Sequence, residues 1–258
     1  MDQRIDVRTE DGVLDCHLFT PETGSWPLVL VYMDAFGIRP ALAGMARRLA
    51  SQGYAVALPN LYYRHGEFAP FDPQAVAAGG AERDRFRAMI ASITNAMVMR
   101  DTAQLLEALG SSPVVKSGPM AAVGYCMGGG FALSAAGTFP ERVVAAASFH
   151  GGSLATDKPD SPHLLAPRMK AAVYVGVAGI DPTFDEAQRK RLEVALDAAG
   201  VKYVLVVYDG AKHGFAVDEH VAYDRVAAER HWTALSTLLR DTFGPVGSPV
   251  ATGTLAGG

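Results

Sequence analysis

Three residues of this chain have the types and the settings for covalent chemistry: Cys126, Asp181 and His213. Cys126 stands in Gly124-Tyr125-Cys126-Met127-Gly128, after the apolar run Met120-Ala121-Ala122-Val123 and before the small-residue stretch Gly128–Ala136. An apolar run, a glycine-flanked turn and a small-residue stretch read as a buried strand feeding a helix. The central residue of such a Gly-x-nucleophile-x-Gly turn is strained, and side chains two residues to either side would clash with the crossing strand and helix. The sulfur would sit at the helix N-terminus, where backbone N–H groups and the helix dipole favour an anion. Thiolate is the reactive form of cysteine. The pentapeptide alone fits a buried structural cysteine equally well, so partners further along the chain must decide.

Two such partners follow apolar runs. Asp181 lies in Gly179-Ile180-Asp181-Pro182, after the run 171–177, and His213 lies in Lys212-His213-Gly214-Phe215, after the run 202–208. In doubly wound sheets, ligands gather beyond the carboxyl ends of the strands, so all three residues are expected at one edge. His213 would take the thiol proton, or pair as imidazolium with the thiolate, and then protonate the leaving oxygen. Asp181 would fix the imidazole tautomer and stabilise its charge. Cys126 would attack a carbonyl and form a thioester for water to hydrolyse. The ordinary readings are a turn aspartate before Pro182 and a loop histidine before Gly214; three strand ends together favour catalysis.

Further residues fall at the same edge. Asp34 follows the run 27–33, and its loop, Met33-Asp34-Ala35-Phe36-Gly37, is expected to supply an oxyanion donor. The backbone N–H groups of Ala35 and Met127 would form the oxyanion hole. Asp34 is expected close to Cys126, where a carboxylate would share or hold the thiol proton; it also suits a turn. His150, which ends the run 142–149, is expected to line the pocket, with a lesser reading as the base. Phe36, Tyr62, Tyr63, Phe149 and Phe215 are candidates for an apolar substrate pocket, and each is equally suited to a core. His65, His163, His220 and His231 are expected to be solvated.

Alternating strand and helix patterns must position these residues. Strands are predicted at 27–33, 54–58, 120–123, 142–149, 171–177 and 202–208, with helices at 39–52, 184–199 and 219–243 and one or two helices over 83–109. Such alternation implies a mostly parallel sheet with helices on both faces. Two further strands within 3–19 are close enough to pair antiparallel at one edge, and 62–80 reads as a long loop. Residues 1–243 are read as one α/β domain and 244–258, rich in Gly, Pro, Ser, Ala and Thr, as a disordered tail.

Composition narrows the partners. The chain has 258 residues, 49% apolar and 19% charged, with a formal net charge of −4. That charge gives no reason to expect nucleic acid or an anionic membrane, and no apolar run approaches a membrane span. The first residues carry no apolar signal region, so a cytoplasmic location is expected. Cys16 and Cys126 are too few for a disulfide framework; Cys16, in an alternating strand-like stretch, reads as structural.

Taken together, these residues resemble the dienelactone hydrolase family, a branch of the α/β-hydrolases with a Cys-Asp-His triad. The likeness runs from about residue 10 to residue 243. Gly-Tyr-Cys-Met-Gly-Gly at 124–129 matches the family's nucleophile elbow, and Asp34-Ala35-Phe36-Gly37 resembles its Glu-containing motif with Asp in place of Glu. Pro59-Asn60-Leu61-Tyr62 is similar to its Pro-Asp-Leu-Tyr segment, residues 208–215 to its histidine loop, and Glu229-Arg230-His231-Trp232 to its last helix. The resemblance implies the α/β-hydrolase fold, the chain order nucleophile, acid, base met by Cys126, Asp181 and His213, and Asp34 beside the resting thiol. The first expectation is a cofactor-free, metal-free cysteine hydrolase of a small ester or lactone, a monomer or small homo-oligomer. Two departures bear on the substrate. Family members bind a substrate carboxylate with arginines, one of them four residues after the catalytic histidine, where this chain has Val217; the other has no single counterpart among Arg83, Arg85, Arg87 and Arg100. Ester or lactone hydrolysis is therefore better supported than dienelactone itself. The competing functions are a hydrolase-fold protein that binds without turnover and, less favoured for want of a Cys-x-x-Cys pair, a thiol redox protein.

Overall fold

The computed structural model describes residues 1–245. In chain order the elements are β1 (Asp2–Thr9), β2 (Gly12–Phe19), β3 (Trp26–Tyr32), α1 (Pro40–Ser51), β4 (Ala55–Pro59), α2 (Pro73–Ala78), α3 (Ala81–Ala91), α4 (Asn95–Gly110), β5 (Val115–Tyr125), α5 (Met127–Thr138), β6 (Val143–Phe149), β7 (Ala172–Ile180), α6 (Glu186–Ala198), β8 (Tyr203–Lys212) and α7 (Arg225–Phe243). One sheet takes all eight strands in the order β1-β2-β4-β3-β5-β6-β7-β8. β1 and β2 pair antiparallel, as do β2 and β4, and every pairing from β4 to β8 is parallel.

The order of the strands locates the site. From β3 the chain crosses to β4 on one side and later returns to β5 on the other, so the crevice between the carboxyl ends of β3 and β5 is a topological switch point. Asp34 and Ala35 leave the end of β3, and Cys126 leaves the end of β5. β3 is buried at every residue, as a central parallel strand with covered faces must be. Two faces are covered in β6: the Phe149 ring lies 4.6 Å from His231 of α7, while its neighbour Ser148 abuts the backbone of Gly129 in α5. Helix α5 is apolar all round and buried from Gly128 to Gly137, the pattern of a helix enclosed by its domain.

Several boundaries move from their predicted places. The last helix starts at Arg225, not 219, because Asp224 accepts the N–H groups of Val226 and Ala227 and so caps it there. The stretch 83–109 is two helices, broken before Thr94, which caps α4 through the Met97 N–H. The predicted long loop 62–80 contains a 3₁₀ turn, Tyr63–His65, and the short helix α2. A further 3₁₀ segment, Pro162–Arg168, carries no periodic pattern in sequence because two prolines interrupt it. Residues 246–258 of the predicted tail lie outside the described residues. Among the described residues no helix is long and apolar enough to cross a membrane.

Candidate active site

Cys126 caps α5 with φ +56° and ψ −122°, a conformation that L-residues rarely adopt. The two flanking glycines make it possible. A Cβ on Gly124 would lie 1.8 Å from the Gly128 carbonyl oxygen, and one on Gly128 would lie 2.3 Å from the Tyr32 carbonyl oxygen. The Cys126 N–H donates to Phe149 O at 3.1 Å, which ties the turn to β6. Beneath it the Tyr125 hydroxyl is 3.1 Å from His231 Nε2, and His231 Nδ1 is 2.6 Å from Ala228 O. A carbonyl can only accept, so His231 carries its proton on Nδ1 and Tyr125 donates to Nε2. Burial lowers the His231 pKa to about 4, so this support is neutral. Cys126 is partly exposed; Cys16 is buried, and burial pushes its thiol far up.

Asp181 and His213 meet at the ends of β7 and β8, with His213 Nδ1 2.6 Å from Asp181 Oδ2. The Asp181 side chain is 1% exposed. Its other oxygen, Oδ1, accepts from the Thr183 N–H at 2.8 Å and the Thr183 hydroxyl at 2.6 Å. Asp181 is thus at once the turn aspartate before Pro182 and the histidine's partner. Thr183 was not among the expected site residues; the Asx-turn signature Asp-x-Thr was the signal for it. Burial opposes charge on His213, but the nearby Cys126 sulfur and the hydrogen bond to Asp181 outweigh it and raise the imidazole pKa to about 10. The balance favours the imidazolium form of His213.

The loop after β3 is organised differently from expectation. The Asp34 carboxylate, 2% exposed, takes both Nη atoms of Arg39 at 2.6 and 2.8 Å and the Phe36 N–H at 3.0 Å. Arg39 also donates to Gly37 O, and its Nε lies 3.3 Å from Glu219 Oε2 in the loop that follows His213. Cys126 is not among the hydrogen-bond partners of Asp34. The physical reason is reach: an aspartate closes on the N–H two residues ahead and on the guanidinium five residues ahead before it extends to the thiol. The Tyr62 hydroxyl donates to Ala35 O at 2.8 Å and stands 3.8 Å from Met127 Sδ.

The expected pocket residues separate. Phe36 packs on Phe86 at 4.8 Å and His220 at 5.3 Å, in an aromatic group with Phe68 and Phe71. Phe68, Phe71 and Phe86 were missed, since aromatic residues in an irregular segment have no period to betray their side. Tyr63 turns away: its hydroxyl joins Asp101 at 2.9 Å and Thr9 at 2.7 Å. Phe215 is fully buried on Tyr208, 4.6 Å between ring centroids, and Phe149 is core beside Tyr125. His150 is 1% exposed, with φ +39°, and its ring packs against those of His213 at 5.3 Å and Phe215 at 5.2 Å. Neither of its ring nitrogens has a partner among the described residues. It supports the underside of His213 and does not line an open pocket. Burial, then the charge of His213, keeps it neutral. His163 and His231 are buried, contrary to the solvated placement expected, and His220 is partly buried against Gly214.

The arginines have other work. Arg83 donates to the carbonyls of Val76 and Ala77, Arg85 pairs with Glu82 and lies over the Phe71 ring, and Arg100 pairs with Glu10 and Asp11. Val217 is wholly buried.

Comparison with known proteins places this geometry. The model of the dienelactone hydrolase family matches residues 14–243. A protein of Synechocystis sp., provisionally assigned as a carboxymethylenebutenolidase, is 25% identical over 222 residues, spanning 84% of this chain and 87% of its own. The carboxymethylenebutenolidase of Pseudomonas sp. strain P51 is 31% identical over 125 residues, 48% of this chain and 50% of its own. Among solved structures, a provisionally assigned dienelactone hydrolase from Klebsiella pneumoniae superposes with a TM-score of 0.81 at 21% identity, over 92% of this chain and 97% of its own. The dienelactone hydrolase-like promiscuous phosphotriesterase P91 from metagenomic libraries superposes with a TM-score of 0.75 at 26% identity, over 95% and 99%. With the family's match spanning all but the first 13 and last 15 of 258 residues, the chain has the α/β-hydrolase fold and belongs to the dienelactone hydrolase family.

Proposed function

We propose that the protein hydrolyses a small carboxylic ester or lactone through a Cys126–His213–Asp181 triad and a thioester acyl-enzyme. One observation carries the reading: a strained cysteine at the N-terminus of a buried helix lies near enough to His213 to raise its pKa, and His213 Nδ1 is 2.6 Å from a buried carboxylate. The Cys126 thiolate adds to the carbonyl carbon, and the oxygen takes up the electron pair. The N–H groups of Ala35 and Met127 hold that oxyanion in a site whose dipoles are already oriented. As the carbon–oxygen bond breaks, His213 gives its Nε2 proton to the leaving oxygen, and the thioester remains. A water then loses a proton to neutral His213 and attacks the thioester; the carbon–sulfur bond breaks and the thiolate and imidazolium return. Asp181 keeps the His213 Nδ1 proton in place throughout.

Arg83, Arg85 and Arg100 are engaged elsewhere, and the position four residues after His213 is the buried Val217, which favours substrates without a free carboxylate beside the reacting carbonyl. The test is turnover of p-nitrophenyl acetate and of a dienelactone by wild type, Cys126→Ala and His213→Ala. Acetate turnover lost in both variants is the expected result. Turnover that survives Cys126→Ala refutes the nucleophile. A wild type that turns over neither substrate and leaves Cys126 inert to iodoacetamide points to the non-catalytic binder.

A further inference from the structure

We propose that Tyr62 is a positioning residue that sets the oxyanion hole, acting as a brace between the two residues that form it. This rests on the reading of Ala35 and Met127 as the oxyanion donors and of Cys126 as the nucleophile. Tyr62 is 0% exposed, and its hydroxyl reaches both: it donates to Ala35 O at 2.8 Å and touches Met127 Sδ at 3.8 Å. A hydroxyl has one proton to give, and here Ala35 takes it.

The Ala35–Phe36 peptide is consequently pinned at both ends, its carbonyl by Tyr62 and its N–H by Asp34 Oδ1 at 3.0 Å. The preceding peptide carries the Ala35 N–H. Its carbonyl, Asp34 O, accepts the Gly37 N–H at 3.4 Å, and the Asp34 carboxylate is fixed by Arg39. With one plane pinned on each side of Ala35, the direction of its N–H is determined. Preorganisation of this kind is what makes an oxyanion hole effective, since the donors need not turn during the reaction.

The brace has a foundation outside the loop it supports. The Tyr62 N–H donates to Asn60 Oδ1 at 3.0 Å, and Asn60 donates through Nδ2 to Asp15 Oδ1 at 3.0 Å and through its own N–H to Asp15 O at 2.9 Å. A path of hydrogen bonds thus runs from β2 to Ala35. Burial, followed by the electrostatics of Cys126 and Asp34, pushes the phenol far up, so the hydroxyl keeps the proton it donates.

Tyr62→Phe keeps the ring and removes only the hydroxyl. Removing a true oxyanion donor costs about 100- to 1000-fold in kcat; loosening one through its brace is expected to cost about 10- to 100-fold, with KM unchanged. A short aldehyde such as butyraldehyde, which forms a thiohemiacetal whose oxygen enters the hole, should bind the variant more weakly by a similar factor. Alkylation of Cys126 by iodoacetamide is displacement at a saturated carbon and uses no oxyanion; its rate should match wild type. Asn60→Ala, which loosens the brace at its root, should give the same pattern at smaller amplitude, and serves where Tyr62→Phe fails to fold. Unchanged kcat and aldehyde affinity in both variants, or alkylation that falls in step with turnover, overturns the proposal. Full ester turnover by alkylated wild type would instead remove the nucleophile reading itself.

Discussion

Removal of Asp34 separates two accounts of the loop after β3. If the carboxylate served the thiol, Asp34→Ala would shift the pH dependence of Cys126 alkylation and leave the fold nearly as stable as before. The structure assigns the carboxylate to Arg39 instead, with side chains 2% and 5% exposed. Removing one partner of such a pair leaves an uncompensated buried charge and costs about 3–5 kcal/mol. Glu219, 40% exposed and 3.3 Å from Arg39 Nε, offsets part of this, so the lower end, about 3 kcal/mol, is expected. For a domain of this size that is a fall in Tm of roughly 6–12 °C. The double variant Asp34→Ala/Arg39→Met removes both charges and should recover most of the loss, because replacing a whole buried pair with apolar side chains is often neutral. Thermal melts of the four proteins measure the coupling, and iodoacetamide kinetics across pH measure the thiol. A single variant that melts within about 2 °C of wild type, a threshold below 1 kcal/mol, together with a displaced alkylation profile, would refute the assignment.

The buried histidines make acid stability a second test. His231 falls from 6.5 to about 4 on folding. Below pH 6.5 the unfolded chain binds a proton that the folded chain refuses, so stability is lost as pH drops toward 4, by up to about 3 kcal/mol from this residue. His220, also lowered to about 4 by burial, adds to the same window, and His231→Phe should flatten the decline in Tm measured between those limits. His213 runs the other way: its raised pKa gives stabilisation that is complete below pH 6.5 and lost as pH rises through about 10, and the ring C–H proton resonances of His213 should titrate near that pH in an NMR series. His150→Phe replaces two nitrogens that have no partner among the described residues with a ring of similar shape, so its melting point should equal or exceed that of wild type. Gly124→Ala should not yield soluble enzyme, since its Cβ would occupy the place of the Gly128 carbonyl.

Some of this molecule was legible before folding because local chemistry and long-range packing agree. The run Pro27–Met33 has no charged residue and only the Tyr32 hydroxyl as a polar group, which suits burial on both faces. Gly124 and Gly128 could be read from the turn that Cys126 needs. Asp181 seemed to demand a choice between turn and catalysis, and the structure uses one carboxylate for both. His231 was readable and was missed: with Leu235 and Leu239 it marks one face of α7 at four-residue spacing, and all three are buried. Other features had no local sign. Tyr62 and Tyr63 are adjacent in a tight turn and reach opposite sides of it, and irregular backbone has no period from which to tell them apart. Asp34 has several cations and donors within reach of its loop, and its choice of Arg39 depends on where the chain turns after Gly37.

Helix α5 gives this protein two kinds of electrostatics that answer differently to salt. From Gly128 to Gly137 the helix is sealed among strands and helices, so counterions are kept from its body and its dipole is screened less than charges on the surface. Pairs such as Arg48–Glu229 and Lys170–Glu141 face water and fade within a Debye length of a few ångströms at molar salt. Reactivity of Cys126 toward a neutral reagent should therefore fall off with salt less steeply than the surface attractions do.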